Sequence, residues 1–227
     1  MLGLLYDIHG NLPALDAVLA DAEQAGVRRW LLGGDYAAFG AWPLETVDRL
    51  RELDAEWIRG NVDRWTLLAP DDAPKAVRGA LERCRQLLGR EVARDLAELK
   101  ESRTHDRVLY CHASPWSDIK SFLPEPADTD AELLEGVVAA QVVFGHTHLQ
   151  FTREGPDGVV LTNPGSVGIP LDGDQRAAWA IVHPDGWIEP RRTRYDHQAS
   201  ADAVRRRLGE DGELFARRIE QARFDVN

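Results

Sequence analysis

Residues Leu2–Asn11, LGLLYDIHGN, join an apolar run to an acidic residue and a histidine that stand two positions apart. The apolar run Leu2–Ile8 predicts a buried strand at the start of the chain, with no leader peptide before it. The polar residues Asp7 and His9 stand at the end of this run. Because an α/β protein binds its ligand at the carboxyl edge of the sheet, this stretch predicts the first strand of the chain and part of a functional site.

The segments that follow alternate helical and strand patterns. Apolar residues recur at helical spacing over Ala14–Ala22 and again over Leu44–Leu53. Val27–Leu32, ended by Gly33-Gly34, predicts a second, buried strand, and Ala55–Arg59, ended by Gly60, predicts a third strand. Strand–helix–strand connections of this length predict a parallel sheet in an α/β fold.

The chain beyond Asp63 does not continue this alternation of strands and helices. Arg64–Thr104 is a predicted insert that contains two helical segments, Ala73–Leu88 and Glu91–Glu101. The elements predicted beyond it are a strand Val108–Cys111 that resumes the sheet, a helix over Ala131–Ala140, a strand Gln141–Phe144, short strands separated by the turns Pro156–Gly158 and Pro184–Gly186, and a closing helix over Ala201–Phe224. The hairpins predict a second, more antiparallel sheet. We expect a single domain over residues 1–227, with a cap-like helical insert at about 64–104.

Polar side chains suited to metal binding follow the predicted strands, and they are Asp7, His9, Asp35, Asn61, Asp63, His112, His146 and His148. The intervals between the first three strand ends, 28 and 26 residues, each correspond to one strand–helix–strand unit. Another unit of 34 residues separates His112 from His146. Residues two apart in an extended chain point to the same side. Asp7 and His9 can therefore bind one ion together, and so can His146 and His148.

This set of ligands predicts two divalent metal ions. Carboxylate and amide oxygens mixed with imidazole nitrogens suit manganese, iron, zinc or nickel, and the absence of thiolates disfavours a structural zinc site. Without Asp63 the set has seven ligands, which exceed one tetrahedral site but fit two ions that share a carboxylate. Two ions about 3.5–4 Å apart can clamp the attacking and leaving oxygens of a displacement at phosphorus. We expect manganese, with the other three metals as alternatives.

One ordered set of motifs resembles the calcineurin-like metallophosphoesterase superfamily over about residues 1–170, namely Asp7-Ile8-His9, Gly34-Asp35, Gly60-Asn61-Val62-Asp63, His112 and Gly145-His146-Thr147-His148. The chain length and Asn163–Ser166 are similar to the small prokaryotic phosphodiesterase branch. The resemblance implies an α/β (α+β) fold, a four-layer αββα sandwich with two mixed β-sheets and a small helical insert. It implies that one ion binds Asp7, His9, Asp35 and His148, and that the other binds Asp35, Asn61, His112 and His146.

The resemblance also implies roles in the reaction. Asp35 is expected to bridge the ions together with a hydroxide that attacks phosphorus, and Asn61 and His112 are expected to act beside it. Asp63 is expected to orient His9 or another ligand. Many family members carry a histidine after the Gly-Asn pair that assists the leaving group, whereas Val62 stands here and cannot donate a proton. We therefore expect a preference for substrates with good leaving groups.

The predicted function is hydrolysis of small phosphoesters or nucleotides by a phosphodiesterase. A phosphomonoesterase or protein phosphatase on the same site is the alternative among enzymes. A non-catalytic protein-binding scaffold of the same fold is the alternative from another class, although none of the seven ligands is substituted.

Other chemically active residues have simpler interpretations. Cys111 and His112 are neighbours in a predicted strand, where adjacent side chains face opposite sides, which disfavours a thiol–histidine dyad. Ser166 lacks the Gly-x-Ser-x-Gly pattern of a nucleophile elbow, so a backbone turn is expected there. The remaining histidines are interpreted as surface residues, and they are His105, His183 and His197.

Composition limits the partners. The chain has 27 Lys and Arg against 38 Asp and Glu, a formal net charge of −11, which disfavours binding of long nucleic acids. Its apolar runs are shorter than the roughly 18 residues that a membrane span needs, and its two cysteines are too few for a disulfide framework. We expect a small phosphoester substrate, no membrane partner and a cytoplasmic location, and the oligomeric state stays open.

Overall fold

The computed structural model describes residues 1–226, in which strands and helices alternate over residues 2–67. The strands are β1 (Leu2–Leu5), β2 (Arg29–Leu32), β3 (Ala55–Trp57), β4 (Ser102–His105), β5 (Val108–Cys111), β6 (Gln141–Val143), β7 (Phe151–Glu154), β8 (Val160–Asn163), β9 (Ala177–Val182) and β10 (Ile188–Thr193). The helices are α1 (Leu12–Gln24), α2 (Pro43–Arg51), α3 (Asn61–Leu67), α4 (Lys75–Leu88), α5 (Arg90–Ala97), α6 (Thr129–Leu133), α7 (His197–Leu208) and α8 (Glu213–Gln221).

The first sheet has the strand order β10-β9-β1-β2-β3. Its β1, β2 and β3 are parallel, as the strand–helix–strand intervals predict, so their carboxyl ends meet at one edge. The β9–β10 hairpin joins the same sheet because β9 pairs antiparallel with β1, with Leu2 opposite Val182. The turn of this hairpin therefore lies at the opposite edge, beside the amino end of β1.

The second sheet has the order β4-β5-β6-β8-β7, with β5, β6 and β8 parallel and antiparallel strands at both edges. Two topological predictions were wrong. The strand Val108–Cys111 belongs to this sheet instead of resuming the first, and only one of the two hairpins lies here. An apolar run predicts that a strand is buried, but it does not encode which sheet the strand joins.

The two sheets pack face to face between helical layers, which confirms the predicted αββα sandwich. Tyr6 and Leu31 of the first sheet share an apolar cluster with Tyr110 and Val143 of the second. The outer face of the first sheet packs on α1 and α2. The outer face of the second sheet packs on α6, which contributes Leu133.

Two predicted helices differ from the observed ones because glycine interrupts them. The helix predicted over 131–140 ends at Leu133, and Gly136 follows in a left-handed conformation with φ 73°. The single closing helix predicted over 201–224 is two helices, α7 and α8, separated by the 3-10 turn Gly209–Gly212.

The predicted insert contains α4, α5 and also β4, an edge strand absent from the prediction. Leu81 and Cys84 of α4 share an apolar cluster with α7 and α8. Ala93 and Leu96 of α5 join the cluster on the outer face of the first sheet. The insert is thus packed into the body of the fold, and its role as a cap over the site remains a prediction. In residues 1–226, none of the helices combines the length and apolarity that crossing a membrane demands.

Candidate metal centre

The seven predicted ligands lie together where the carboxyl edges of the two sheets meet. Each follows a strand: Asp7 and His9 follow β1, Asp35 follows β2, Asn61 begins α3 after β3, His112 follows β5, and His146 and His148 follow β6. Six are at least nine-tenths buried, and His146 is half-buried. Backbone hydrogen bonds join their loops, for example from Asp7 N to Gly34 O at 3.1 Å and from His9 N to Asp35 O at 2.9 Å.

Five of these seven residues have left-handed backbone conformations, with φ between 49° and 66°, and they are Asp7, His9, Asp35, His146 and His148. Such angles are uncommon outside glycine, and they cluster at functional sites where the surrounding structure holds them in place. The expectation that the two i, i+2 pairs are extended was therefore wrong. Tight turns after β1 and β6, instead of strand geometry, direct each pair to the same point.

The first group of ligand atoms comes from Asp7, His9 and His148. His148 Nε2 lies 3.4 Å from Asp7 Oδ1 and 3.1 Å from His9 Nε2. The other nitrogen of each ring, Nδ1, donates to a backbone carbonyl, that of Ala38 for His9 at 3.1 Å and that of Ile169 for His148 at 2.6 Å. A carbonyl oxygen only accepts, so in the neutral rings both Nε2 atoms present lone pairs to each other.

The second group comes from Asp35, Asn61, His112 and His146. Asn61 Oδ1 lies 2.9 Å from both His112 Nε2 and His146 Nδ1. His112 Nδ1 lies 2.9 Å from the carbonyl oxygen of Gly33, so Nε2 of the neutral ring presents a lone pair to the Asn61 oxygen. Asp35 Oδ2 lies 3.4 Å from His112 Nε2 and 3.8 Å from His9 Nε2, which places it between the two groups.

Both groups fit a divalent cation. Ligand atoms about 2.0–2.2 Å from one ion lie about 2.8–3.6 Å from each other, and most of the distances above fall in this range. Lone pairs that face one another repel unless a positive charge lies between them. Among residues 1–226, the buried Asp7 Oδ1 has no hydrogen-bond partner, which is costly for a carboxylate oxygen unless a cation binds there.

The pKa values of the metal-free site also indicate that the ligand set favours a positive charge. Burial lowers the pKa of His9 and of His146 to about 4. Burial opposes protonation of His112 as well, but the Asp35 carboxylate outweighs it and raises the His112 pKa to about 10. Burial disfavours the Asp35 charge, yet His112 keeps the Asp35 pKa below its usual value. A proton on His112 thus supplies the positive charge that the ligand set requires.

Asp63 holds the backbone beside the predicted ligand Asp35, instead of the side chain of His9. Its Oδ2 accepts hydrogen bonds from the backbone N–H of Asp35 and of Gly60, both at 2.8 Å, and its Oδ1 accepts one from Tyr36 N at 3.0 Å. It therefore orients the predicted ligand Asp35, and within residues 1–226 none of its hydrogen bonds is to His9. Burial, followed by the charge of Asp35, raises the Asp63 pKa to about 7.

Glycine is required next to these ligands because the backbones approach closely. A Cβ atom at Gly60 would collide with Asp35 Oδ1. At Gly34, φ is 101° and a Cβ would lie 2.7 Å from His112 Nδ1. The glycines of the Gly-Asp and Gly-Asn motifs thus make room for the ligands that they adjoin.

Comparison with known proteins identifies the family. Residues 1–186 match the family described as the Calcineurin-like phosphoesterase superfamily domain. The chain belongs to this superfamily. The superfamily uses divalent metals, as the ligand set predicts, and membership in it indicates a phosphoester hydrolase.

Similar proteins match nearly the whole length of this chain. An uncharacterized protein of Methanocaldococcus jannaschii is 31% identical over an alignment of 233 positions, which covers 92% of this chain and 94% of that protein. The crystal structure of a metallophosphoesterase from Sphaerobacter thermophilus is 26% identical, covers 97% of this chain and 98% of its own, and has a TM-score of 0.81. The structure of a hypothetical protein from Pyrococcus horikoshii OT3 has a TM-score of 0.82 at 19% identity, covers 94% of this chain and 96% of its own, and shows the fold alone.

Other residues that the sequence singled out have structural roles in this superfamily member. Cys111 is buried in the core behind His112. Ser166 Oγ donates to Asp7 O at 2.7 Å and accepts from Ile169 N at 2.8 Å, so it fixes the turn beneath the ligands. His105 lies 3.0 Å from Glu56, and His183 lies 2.9 Å from Glu189, both in partly exposed pairs.

Three residues beside the centre were not singled out individually from the sequence. A cavity of about 220 Å³ adjoins His112 and is lined in part by Arg64, Trp116 and Asp118. Arg64 directly follows the Gly-Asn-Val-Asp motif, which was the available signal. Its partner Asp118 lies 54 residues away in the chain, and only the folded structure brings the two together.

Proposed function

We propose that this protein is a binuclear metal-dependent phosphodiesterase that hydrolyses small phosphoesters, nucleotides among them, with manganese as the expected ion. The observation that supports this proposal best is the convergence of ring-nitrogen lone pairs and carboxylate oxygens into two adjoining groups, with Asp35 between them. Such an arrangement is unfavourable without positive charge and favourable with two cations.

The proposed ligands divide between the two groups. Asp7, His9, Asp35 and His148 would hold one ion, and Asp35, Asn61, His112 and His146 would hold the other. When bound, two such ions would supply activation of water and neutralisation of negative charge on the oxygens around phosphorus.

The remaining roles in the proposed reaction are carried by the chain's own groups. Hydrogen bonds from the Nδ1 atoms of His9, His112 and His148 to backbone carbonyls fix the rings in the orientation that ligation needs. Asp63 holds the backbone of the bridging Asp35. The half-buried His146 is the ligand nearest to solvent, so we place the entrance for substrate on its side.

Position 62 supports a preference for substrates that need no protonation of the leaving group. Val62 is 4% exposed, and its backbone N–H donates to Asp35 Oδ1 at 2.9 Å. Its side chain adjoins the centre and has no proton to donate to a leaving group. Esters with stable leaving groups, such as aryl diesters, are therefore the expected good substrates.

The test is hydrolysis of bis(p-nitrophenyl) phosphate and of p-nitrophenyl phosphate by protein reconstituted with Mn²⁺, alongside Asp35→Asn and the exposed control Asp95→Asn. We expect metal-dependent hydrolysis with a higher kcat/KM for the diester, abolished in Asp35→Asn and retained in the control. A preference for the monoester would favour a phosphomonoesterase. Bound metal without hydrolysis of either ester would favour the non-catalytic scaffold.

A further inference from the structure

Two adjoining cavities lie beside the metal centre on the side of His112. The inner one, about 220 Å³, is lined by His112, Arg59, Arg64, Glu101 and the loop of residues 114–118. The outer one, about 200 Å³, is lined on one side by Val137 and Val138. Pro115 and Trp116 line both. Because they share these two lining residues, we treat the two cavities as one surface feature beside His112 and call it the His112 groove.

The charges in the inner cavity are balanced. Arg64 donates from Nε and Nη2 to the two carboxylate oxygens of Asp118, at 3.0 and 2.9 Å. Arg59 donates from Nη2 to Glu101 and from Nη1 to the carbonyl oxygen of Ala97. Two cations face two carboxylates, so this cavity gives little electrostatic attraction to a further phosphate. It suits a neutral group that forms hydrogen bonds.

Trp116 is held at the rim with most of its surface exposed. Its side chain is 67% exposed, although the indole N–H donates to Glu135 O at 3.0 Å. The loop that carries it is closed by a hydrogen bond from Ser114 N to Ser117 O at 2.9 Å, and Ser117 Oγ accepts from Lys120 N at 2.9 Å. The indole hydrogen bond holds the ring, and the loop hydrogen bonds hold the backbone that carries it. Trp116 is therefore a preorganised surface for stacking.

We propose that the His112 groove binds the organic group of the ester, and that this group is a nucleoside whose base stacks on Trp116 while the phosphate lies at the metal centre. The proposal rests on the proposed function and specifies its substrate class. The base is planar and neutral, which matches a charge-balanced cavity and an exposed indole. The apolar side chains Val137 and Val138, the latter 89% exposed, extend the surface that a base would cover.

The test compares the affinities of adenosine 5′-phosphate and ribose 5-phosphate, which share the phosphate and the sugar but differ in the base. Isothermal titration to the Mn²⁺-loaded protein is expected to show tighter binding of adenosine 5′-phosphate. Trp116→Ala is expected to weaken that binding about tenfold or more and to leave ribose 5-phosphate unchanged, whereas Trp116→Phe retains most of the difference. Trp187→Ala is the matched control, because Trp187 is 56% exposed and lies on the β9–β10 turn at the opposite edge of the sheet.

Three results overturn the inference: equal affinity for the two ligands, no measurable binding of adenosine 5′-phosphate, or an equal loss for both ligands in Trp116→Ala. The proposed function is judged separately, by hydrolysis of bis(p-nitrophenyl) phosphate in the wild-type protein. Metal-dependent hydrolysis without base discrimination would overturn the nucleoside assignment alone. Tighter binding of adenosine 5′-phosphate than of ribose 5-phosphate, without hydrolysis, would contradict the proposed enzymatic activity and support the nucleotide site.

Discussion

Asp63 accepts a hydrogen bond from the backbone N–H of Asp35 at 2.8 Å, and so one carboxylate fixes the main chain of another. The same side chain accepts from Tyr36 N at 3.0 Å and from Gly60 N at 2.8 Å. It therefore ties the turn after β2 to the start of α3. This contact holds the backbone of Asp35, and the hydrogen bond from Val62 N to Asp35 Oδ1 holds its side chain.

Replacing Asp63 with Ala is expected to weaken Mn²⁺ binding about 10- to 100-fold, the usual cost of removing a group that orients a metal ligand. The loss of three buried hydrogen bonds should also lower the Tm. Metal titration followed by calorimetry measures the affinity, and thermal unfolding of the metal-free protein measures the stability. Asp95→Ala, on the exposed face of α5, serves as the control. Unchanged Mn²⁺ affinity in Asp63→Ala would refute the positioning role.

Asp35→Asn is expected to lose both ions, because Asp35 Oδ2 lies between the His9 and His112 nitrogens. His148→Ala is expected to weaken mainly the ion held with Asp7 and His9. Metal analysis after reconstitution in excess manganese should approach two ions per chain in the wild-type protein and one in His148→Ala. A firm stoichiometry of one in the wild type would contradict the binuclear proposal.

Neither cysteine is expected to react in the native protein. Burial raises the pKa of the Cys84 thiol to about 12, and burial also raises the pKa of Cys111, so both remain protonated at pH 8. Titration with Ellman's reagent at pH 8 should label no thiol in the folded protein and two after unfolding in guanidinium chloride. Rapid labelling of Cys111 that abolishes hydrolysis would contradict this prediction and support the alternative of a catalytic dyad of Cys111 and His112.

The ligands were predictable from the sequence because the length of a strand–helix–strand unit is physically limited. An interval of 26 to 34 residues returns the chain to the same edge, so a polar residue after each apolar run is placed without knowledge of the contacts. Asp7, Asp35 and Asn61 follow from this rule alone. The resemblance to the family then suggested how the ligands divide between two ions.

Other features depend on tertiary contacts that a local pattern does not contain. The Val108–Cys111 run indicates a strand, but the pairing with Gln141–Val143 assigns it to the second sheet. The left-handed backbone at Asp7 and His9 arises where loops of two strands meet, and their residue types only permit it. The partnership of Arg64 with Asp118 spans 54 residues and leaves no periodic signal.

The Arg64–Asp118 pair is expected to hold the loop that carries Trp116. Arg64→Lys keeps the charge but loses the two-point contact, and Asp118→Asn loses the charge of the acceptor. Each change should raise KM for a nucleoside p-nitrophenyl phosphodiester roughly fivefold, which corresponds to about 1 kcal/mol for a partly exposed pair. Metal content should not change. The double variant should be no worse than either single variant, and additive effects would show that the two residues act separately.

Val62→His tests whether the missing proton donor limits the choice of leaving group. Val62 is buried in an apolar cluster that includes Phe39 and Phe215, and its backbone N–H contacts Asp35. A positioned general acid contributes about 10²–10⁴-fold to a reaction whose leaving group needs a proton. An alkoxide needs that proton, whereas p-nitrophenolate does not. The variant should therefore raise kcat/KM for an alkyl phosphodiester at least about tenfold relative to bis(p-nitrophenyl) phosphate.

The ratio of the two kcat/KM values is the informative quantity, because a general loss of folded or metal-loaded protein lowers both equally. An imidazole in this apolar cluster is expected to lower the Tm, so thermal unfolding and metal content are measured on the same samples. Val62→Leu is the matched control, since it changes the packing at position 62 without adding a proton donor. An unchanged ratio in Val62→His with two bound ions, or an equal rise in Val62→Leu, would show that protonation at this position does not limit the leaving group.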